Sequence, residues 1–358
     1  EFDASPYPFL SQRQMAHWTS PIFTYAMLVV HRAMARAGLE LTPAIAPRTA
    51  ITFSSAVGGQ DAVINADRIM VERGRLPAPF TNPNSCINMV GGKVSILTGA
   101  TGPITSTITA CATGCTSMMM AALLLDAGMA DLCICGAADA ALVEPIVAGF
   151  ATMNGAYKHK PGLDEAPDRA SRPFSVDRRG FVISEGAACV LLATREFADA
   201  HGLPYRVELA GWSSTSDAHH FVAPNAETVT RCMAQALEHA GVATADVDAI
   251  NAHAASTKVG DTVEVQSLRA LFGQDLPPVS ANKSFLGHAM GAASAMETVL
   301  AMEGMQRGII PPTINYTEDP EIPLDCAPHG ARRLEQRVLL KNAFGFGGCN
   351  TCLVLRRV

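Results

Sequence analysis

Residues 104–135 read ITSTITACATGCTSMMMAALLLDAGMADLCIC. An apolar, β-branched run from Ile104 to Ile108 predicts a strand, a largely apolar segment from about Ala112 to Ala127 predicts a buried helix, and Asp131 to Cys135 predicts a second strand. The same rhythm returns at Val247 to Ile250, a helix over Asp261 to Phe272, and Val279 to Ala281. Alternation of this kind predicts an α/β protein whose parallel strands are buried on both faces. The chain has 358 residues, more than the ~250–300 at which one core stops growing, so one large unit or two packed halves is expected. A helical pattern ends at Gly202-Leu203-Pro204, which puts the seam between residues 1–199 and 200–358.

Composition narrows the function classes. With 48% hydrophobic and 17% charged residues, the chain has the make-up of a globular protein with a large core. A net charge of −6 without blocks of like charge argues against nucleic acid and anionic membranes as partners. The longest apolar run, Met118 to Met129, is interrupted by Asp126 and is too short for the ~30 Å hydrocarbon layer. Residues 1–20 carry no export pattern, which makes the cytoplasm the expected compartment. The ten cysteines sit mostly in apolar strand and helix patterns and are expected to be reduced. Cys349 and Cys352 lack a second pair at zinc spacing, and Gly91-Gly92-Lys93 and Gly345 to Gly348 lack the features of a phosphate loop. His219 and His220 are adjacent and predict a solvated loop. No metal and no cofactor is expected.

The chemistry concentrates at Thr109-Ala110-Cys111-Ala112-Thr113-Gly114, where a strand pattern gives way to a helix pattern. A thiol there faces the first free N–H groups of the helix, which should lower its pKa from about 8.5 and favour thiolate. On this fragment alone a buried structural cysteine is the competing reading. Two histidines add weight. Asn251-Ala252-His253 follows one strand pattern and Gly287-His288-Ala289-Met290-Gly291 introduces another helix, so both imidazoles are expected at carboxyl ends of strands, where open α/β sheets place ligands.

These segments resemble the β-ketoacyl synthases of the thiolase-like superfamily. The resemblance rests on Thr109 to Gly114, on Asn251 to Asp261, on Lys283 to Ala293 and on Asn342 to Asn350, with a further block at Arg172 to Phe174, Asp177 to Val182 and Glu185-Gly186. It covers nearly the whole chain in colinear order. It implies a layered α/β/α/β/α fold of two similar halves, and a decarboxylative Claisen condensation that joins an acyl chain to a malonyl thioester. Cys111 would carry the acyl group, while His253 and His288 would promote loss of carbon dioxide. Lys283, paired with Glu297, would support them, and the backbone N–H groups of Cys111 and Phe346 would form an oxyanion hole. Phe346 would also gate the pocket, with Thr257, Phe150 and Phe344 along the substrate path. The implied partner is an acyl carrier protein, acyl- or malonyl-loaded, and the implied assembly is a homodimer, with a heterodimer as alternative.

Departures from the family pattern point to a specialised fatty-acid or polyketide-type pathway. Ala254-Ala255-Ser256-Thr257-Lys258 stands where Gly-Thr-Ser-Thr-Pro is usual, which removes one hydroxyl expected to hold a pantetheine arm. Asn282, Phe285-Leu286 and Cys349 also replace usual residues, and Arg13 is the clearest remaining basic residue near the start. The family's opening strand and Gly-rich turn are not found before Glu1-Phe2-Asp3, and a processed or incomplete polypeptide is expected. Two rivals differ in chemistry. A thiolase needs a second cysteine as base, for which Cys349 lies in the wrong motif. An inactive chain-length factor would have no need of Cys111, His253, Lys283 and His288.

Overall fold

The computed structural model describes residues 3–160 and 166–358. Its main elements are helix α1 (Pro21–Ala37), strand β1 (Thr49–Ser54), helices α2 (Gln60–Arg73), α3 (Asn88–Thr98) and α4 (Thr113–Asp126), strand β2 (Leu132–Asp139), helix α5 (Glu144–Thr152) and strands β3 (Gly186–Ala193) and β4 (Val207–Ser216). Helix α6 (Ala226–Ala240), strand β5 (Ala249–Asn251), helix α7 (Lys258–Phe272), strand β6 (Val279–Ser280) and helix α8 (Met290–Arg307) follow. The chain closes with the short strands β7 (Ile309–Ile310) and β8 (Arg332–Arg333) and the long β9 (Val338–Gly345) and β10 (Cys349–Arg357).

One sheet has the order β1-β2-β3 and a second the order β4-β10-β9-β5-β6. Both are mixed, which corrects the expectation of parallel strands. β2 runs parallel to β1 and antiparallel to β3, while β10 runs antiparallel to β4 and β9. The cause at β9–β10 is local. Gly347 and Gly348 take φ of 84° and 71°, a left-handed region that glycine enters freely, so the chain reverses at once instead of crossing over through a helix.

The layers follow from which faces are apolar. α1 and α3 cover the outer face of the first sheet, where Ile22, Phe23 and Val94 meet Ile51, Phe53 and Ile134. α6 and α7 cover the outer face of the second, with Val229, Met233 and Leu268 against Ile250, Leu340 and Val354. Between the sheets lie α4 and α8. Cys115, Met118 and Ala121 join Ala292 and Ala295 in a cluster that reaches Cys133 and Cys135 on one sheet and Ala343 and Leu353 on the other. A helix packed on both sides needs no polar face, which explains the apolar run from Met118 to Leu125 in α4. The result is the layered helix–sheet–helix–sheet–helix fold.

The run Ile104 to Ile108 is corrected too. It makes a single parallel bridge, Ile104 to Ile51, and then leaves β1 for the turn that carries Cys111. Ile104 and Ile108 are exposed at this edge.

The central layer is close at one point. A Cβ added at Gly114 of α4 would fall 2.7 Å from Ala295 Cβ and against the Ala295 backbone N of α8. Gly114→Ala is therefore expected to lower the melting temperature through overpacking of ~1–3 kcal/mol, whereas Gly149→Ala in α5, where the added Cβ meets nothing within 4 Å among the described residues, should hold or raise it. Equal melting curves for the two variants would refute the close crossing.

Candidate active site

Cys111 lies in a turn, Ala110–Ala112, just ahead of α4. Ala110 is held at φ 49°, a conformation that costs an L-residue about 1 kcal/mol or more. The Thr113 hydroxyl stabilises it by donating to Ala110 O at 2.7 Å and accepting from Thr109 N at 3.0 Å. The end of β9 comes in against this turn at Gly345, where any Cβ would collide with Thr109 O. That approach puts Phe346 beside Cys111, and the backbone N–H groups of Phe346 and of Cys111 itself both face the thiol.

His253 follows β5. Its N–H donates to Glu264 Oε1 at 2.9 Å, and Ala254 N–H donates to Glu264 Oε2 at 2.7 Å. Glu264, on α7, is itself buried. His288 lies eight positions beyond β6 rather than directly at its end. Its N–H donates to Val182 O at 2.7 Å and its carbonyl accepts from Ser184 N at 3.0 Å. The two imidazoles stand edge to face with centroids 5.9 Å apart. Strained residues flank both, with φ of 34° at Ala254, 68° at Ser256 and 48° at Met290. Asp139, at the end of β2, fixes the start of α8 from below. Its buried carboxylate accepts from Ser55 Oγ, from Val57 N at 2.9 Å and from Ala292 N at 3.0 Å.

Cys111, His253, His288, Phe344, Phe346 and Thr257 line one cavity of ≈ 470 Å³. Phe344 lies 5.7 Å from the His253 ring. Phe150 stands one layer back, 5.4 Å from Phe181 and 6.3 Å from Phe346. Lys283 is outside the cavity. It is buried behind His253, with its ammonium on Glu297 Oε1 at 2.6 Å and on the His253 carbonyl.

Burial sets the protonation states. Both imidazoles are held well below the usual histidine value, chiefly by desolvation and then by Lys283. Both Nδ1 atoms are buried and have no hydrogen-bond partner among the described residues. An orphaned N–H costs more than an orphaned lone pair, so the ring proton belongs on Nε2. The same burial acts on Cys111 in the opposite sense to the sequence expectation. Desolvation, aided by Asp139, pushes the thiol up to about 11, against the opposing pull of Lys283 and the two backbone N–H groups. The resting nucleophile is a thiol, because the desolvation of the site outweighs Lys283 and the two backbone N–H groups.

Sequence reasoning did not single out Glu264, Asp139 or Lys341, and it placed Arg178 only within a motif. Arg178 is buried and donates to Thr257 O at 3.1 Å, Lys258 O at 3.2 Å and Asp319 Oδ2 at 2.7 Å, which secures the altered loop. Charges inside apolar runs, such as Lys341 in Val338 to Phe344, were the signal to follow. Lys258, at the cavity mouth, gives its ammonium to Val176 O at 2.6 Å. His220, also at the mouth, accepts through Nδ1 from Val222 N and Ala223 N at 3.1 Å each. Among the described residues no group of His, Cys, Asp and Glu is placed to hold a metal ion, and all ten cysteines are free.

Residues 1–198 match the family "Beta-ketoacyl synthase, N-terminal domain" and residues 206–317 match "Beta-ketoacyl synthase, C-terminal domain". The chain belongs to the β-ketoacyl synthase family. The "3-oxoacyl-[acyl-carrier-protein] synthase 2" of Rhizobium meliloti (strain 1021) is 37% identical over 344 residues, covering 94% of this chain and 81% of that one. Among solved structures, a type II polyketide synthase acyl-carrier protein in complex with its ketosynthase bound to the hexaketide superposes with a TM-score of 0.90 at 26% identity, over 95% of this chain and 86% of that one. The ishigamide ketosynthase/chain length factor superposes with a TM-score of 0.88 at 28% identity, over 100% and 86%. As a member of this family, the chain is a condensing enzyme of the acyltransferase class.

The thiol state of this β-ketoacyl synthase is directly measurable. Alkylation of Cys111 by iodoacetamide, read by peptide mass spectrometry, is expected to climb from neutral pH toward about 11. A plateau at or below about 8.5 would restore the helix-lowered thiolate.

Proposed function

We propose that this enzyme condenses a Cys111-bound acyl chain with a malonyl thioester to give a β-ketoacyl thioester and carbon dioxide. One observation carries the reading: a thiol and two uncharged imidazoles, drawn from distant parts of the chain, share one buried cavity with the Phe346 backbone N–H. In the first step Cys111 sulfur attacks the acyl thioester, the Phe346 and Cys111 N–H groups receive the oxyanion, and the carrier sulfur leaves with the proton that Cys111 gives up. In the second, the malonyl C–CO₂ bond breaks, and its electron pair becomes an enolate whose oxygen accepts N–H bonds from His253 and His288 Nε2. The enolate carbon then attacks the acyl carbonyl, and Cys111 sulfur is expelled as a thiolate that takes up one proton from solvent. Preorganised donors of this kind supply the largest share of many rate enhancements.

Lys283 and Glu297 serve as supports for His253, and Phe346 as gate between the empty and acylated pocket. Thr257 and Phe344 contact the substrate. Phe150 shapes the acyl path from behind, through Phe181 and Phe346. The carrier is an acyl carrier protein, supported by the ketosynthase neighbour solved with one. Arg13, exposed near the start, belongs to its docking surface. Residues 1–199 and 200–358 form the two halves, each built on one sheet. The assembly is a homodimer that uses the open edge at Ile104 and Ile108; a heterodimer is the alternative, in keeping with the ketosynthase/chain length factor neighbour. No described helix is long and apolar enough to cross a membrane, and the cytoplasm is the proposed compartment. The altered loop assigns the enzyme to a specialised fatty-acid or polyketide-type pathway.

Two measurements test this. His253→Ala and His288→Ala should each lower release of labelled carbon dioxide from a malonyl thioester by ~10²-fold or more, and acyl loading of Cys111 by less. In the wild type, release should persist below pH 6.5, since both imidazoles stay uncharged there. Label on Cys115 or Cys349, or unchanged release in both variants, rejects the assignment.

Ala255 lies at the cavity, where a threonine hydroxyl would meet the pantetheine amide. Ala255→Thr should lower KM for a generic malonyl carrier by roughly three- to tenfold, the worth of one neutral hydrogen bond. Lys258→Pro, tolerated at the first position of α7, should weaken only the cognate carrier, most strongly at low salt. Wild-type kinetics in both variants with both carriers would remove the support for a specialised pathway.

A further inference from the structure

Strand β9 is buried at every position but its last, and Lys341 sits within it without solvent exposure. A buried ammonium is costly unless it is paired and hydrogen-bonded. Lys341 Nζ donates to Glu297 Oε2 at 2.7 Å and to the Asn342 carbonyl at 2.8 Å. Two paths run from there to His253. Along one, the other oxygen of Glu297 accepts Lys283 Nζ at 2.6 Å, and Lys283 donates in turn to the His253 carbonyl. Along the other, Asn342 Nδ2 donates to Glu264 Oε1 at 3.1 Å, and that oxygen accepts the His253 N–H at 2.9 Å. The paths close into a ring. One arm grips the C=O of His253, the other grips its N–H, and they meet at the Lys341-Asn342 dipeptide.

We propose that Lys341 is a positioning residue for His253, closing this ring and supplying the second positive charge that balances the two buried carboxylates, Glu297 and Glu264. The charged and titratable groups around His253 come from every neighbouring element: Lys341 on β9, Glu264 on α7, Glu297 on α8, Lys283 after β6, His288 ahead of α8, and Cys111. Both ammonium groups lie on Glu297, and Glu264 is held by N–H donors; the two positive and two negative charges balance, so the imidazole has no charge to compensate. Lys341 adds to the pull that keeps His253 deprotonated. Without it, two carboxylates face one ammonium, and a proton on His253 becomes the nearest remedy. The ring would also lose the anchor of both arms, and a reacting group displaced by ~1 Å can cost 10²-fold in rate.

The catalytic consequence rests on the condensation reading; the titration does not. In Lys341→Met, the His253 imidazole, followed by NMR and assigned by its loss in His253→Asn, is expected to titrate at higher pH than in the wild type. Carbon dioxide release should fall by about 10²-fold, and by more than acyl loading of Cys111. The charge-balanced Lys341→Met/Glu297→Gln variant should return His253 toward its wild-type titration, and it serves as the test should the single variant not fold. A wild-type titration in Lys341→Met, or a raised one in the double variant, overturns the proposal. A wild-type enzyme that releases no carbon dioxide would sink the condensation reading, while the imidazole titration still decides the ring.

Discussion

The crossing of α4 and α8 between the two sheets is the constraint on which the rest depends. At Gly114 and Ala295 the helices meet backbone to side-chain root, with no room for a methyl group. Cys111 precedes α4 by two residues, and His288 precedes α8 by two residues. The distance between nucleophile and imidazole is therefore set by how two helix starts are packed. Asp139 reinforces this by tying the ends of β1 and β2 to the first turn of α8. Small residues in the central layer thus act on the chemistry as surely as the reactive groups do.

Desolvation is the second unifying term, and it acts with opposite consequences on the two kinds of group. It keeps the imidazoles uncharged, as donors to a developing enolate require, and it keeps Cys111 protonated. A thiol that loses its proton only as it attacks spares the enzyme a standing anion in an apolar site. The cost falls on acylation, which needs a path for that proton. Around this neutral centre the buried charges are paired tightly, since an unpaired one would cost several kcal/mol. Lys283 and Lys341 meet that requirement on Glu297, Glu264 is held by N–H donors instead, and these hydrogen bonds also fix the His253 backbone at both its N–H and its C=O.

Much of this was legible in the residues. The apolar pattern of 104–135 announced the α/β class and a helix with no polar face, and the motifs around Cys111, His253, Lys283, His288 and Phe346 announced the family. Periodicity failed where an element's identity depends on a neighbour. Ile104 to Ile108 has the composition of a strand, yet a strand exists only where a partner continues the ladder, and here the pairing stops after one bridge. Strand direction was equally hidden, because buried parallel and antiparallel strands carry similar apolar runs.

What the sequence by itself determined is the identity of the reacting groups and the order in which they are strung along the chain. Only the tertiary structure decided their charge and their company. A thiol at a helix start reads as a thiolate until the helix is sunk between two sheets, and Lys341 reads as an oddity in an apolar strand until Glu297 and Asn342 are brought to it. Protonation depends on how much water surrounds a group and which charges lie within a few ångströms. Neither quantity exists along a linear chain; both arise when residues distant in sequence are buried together.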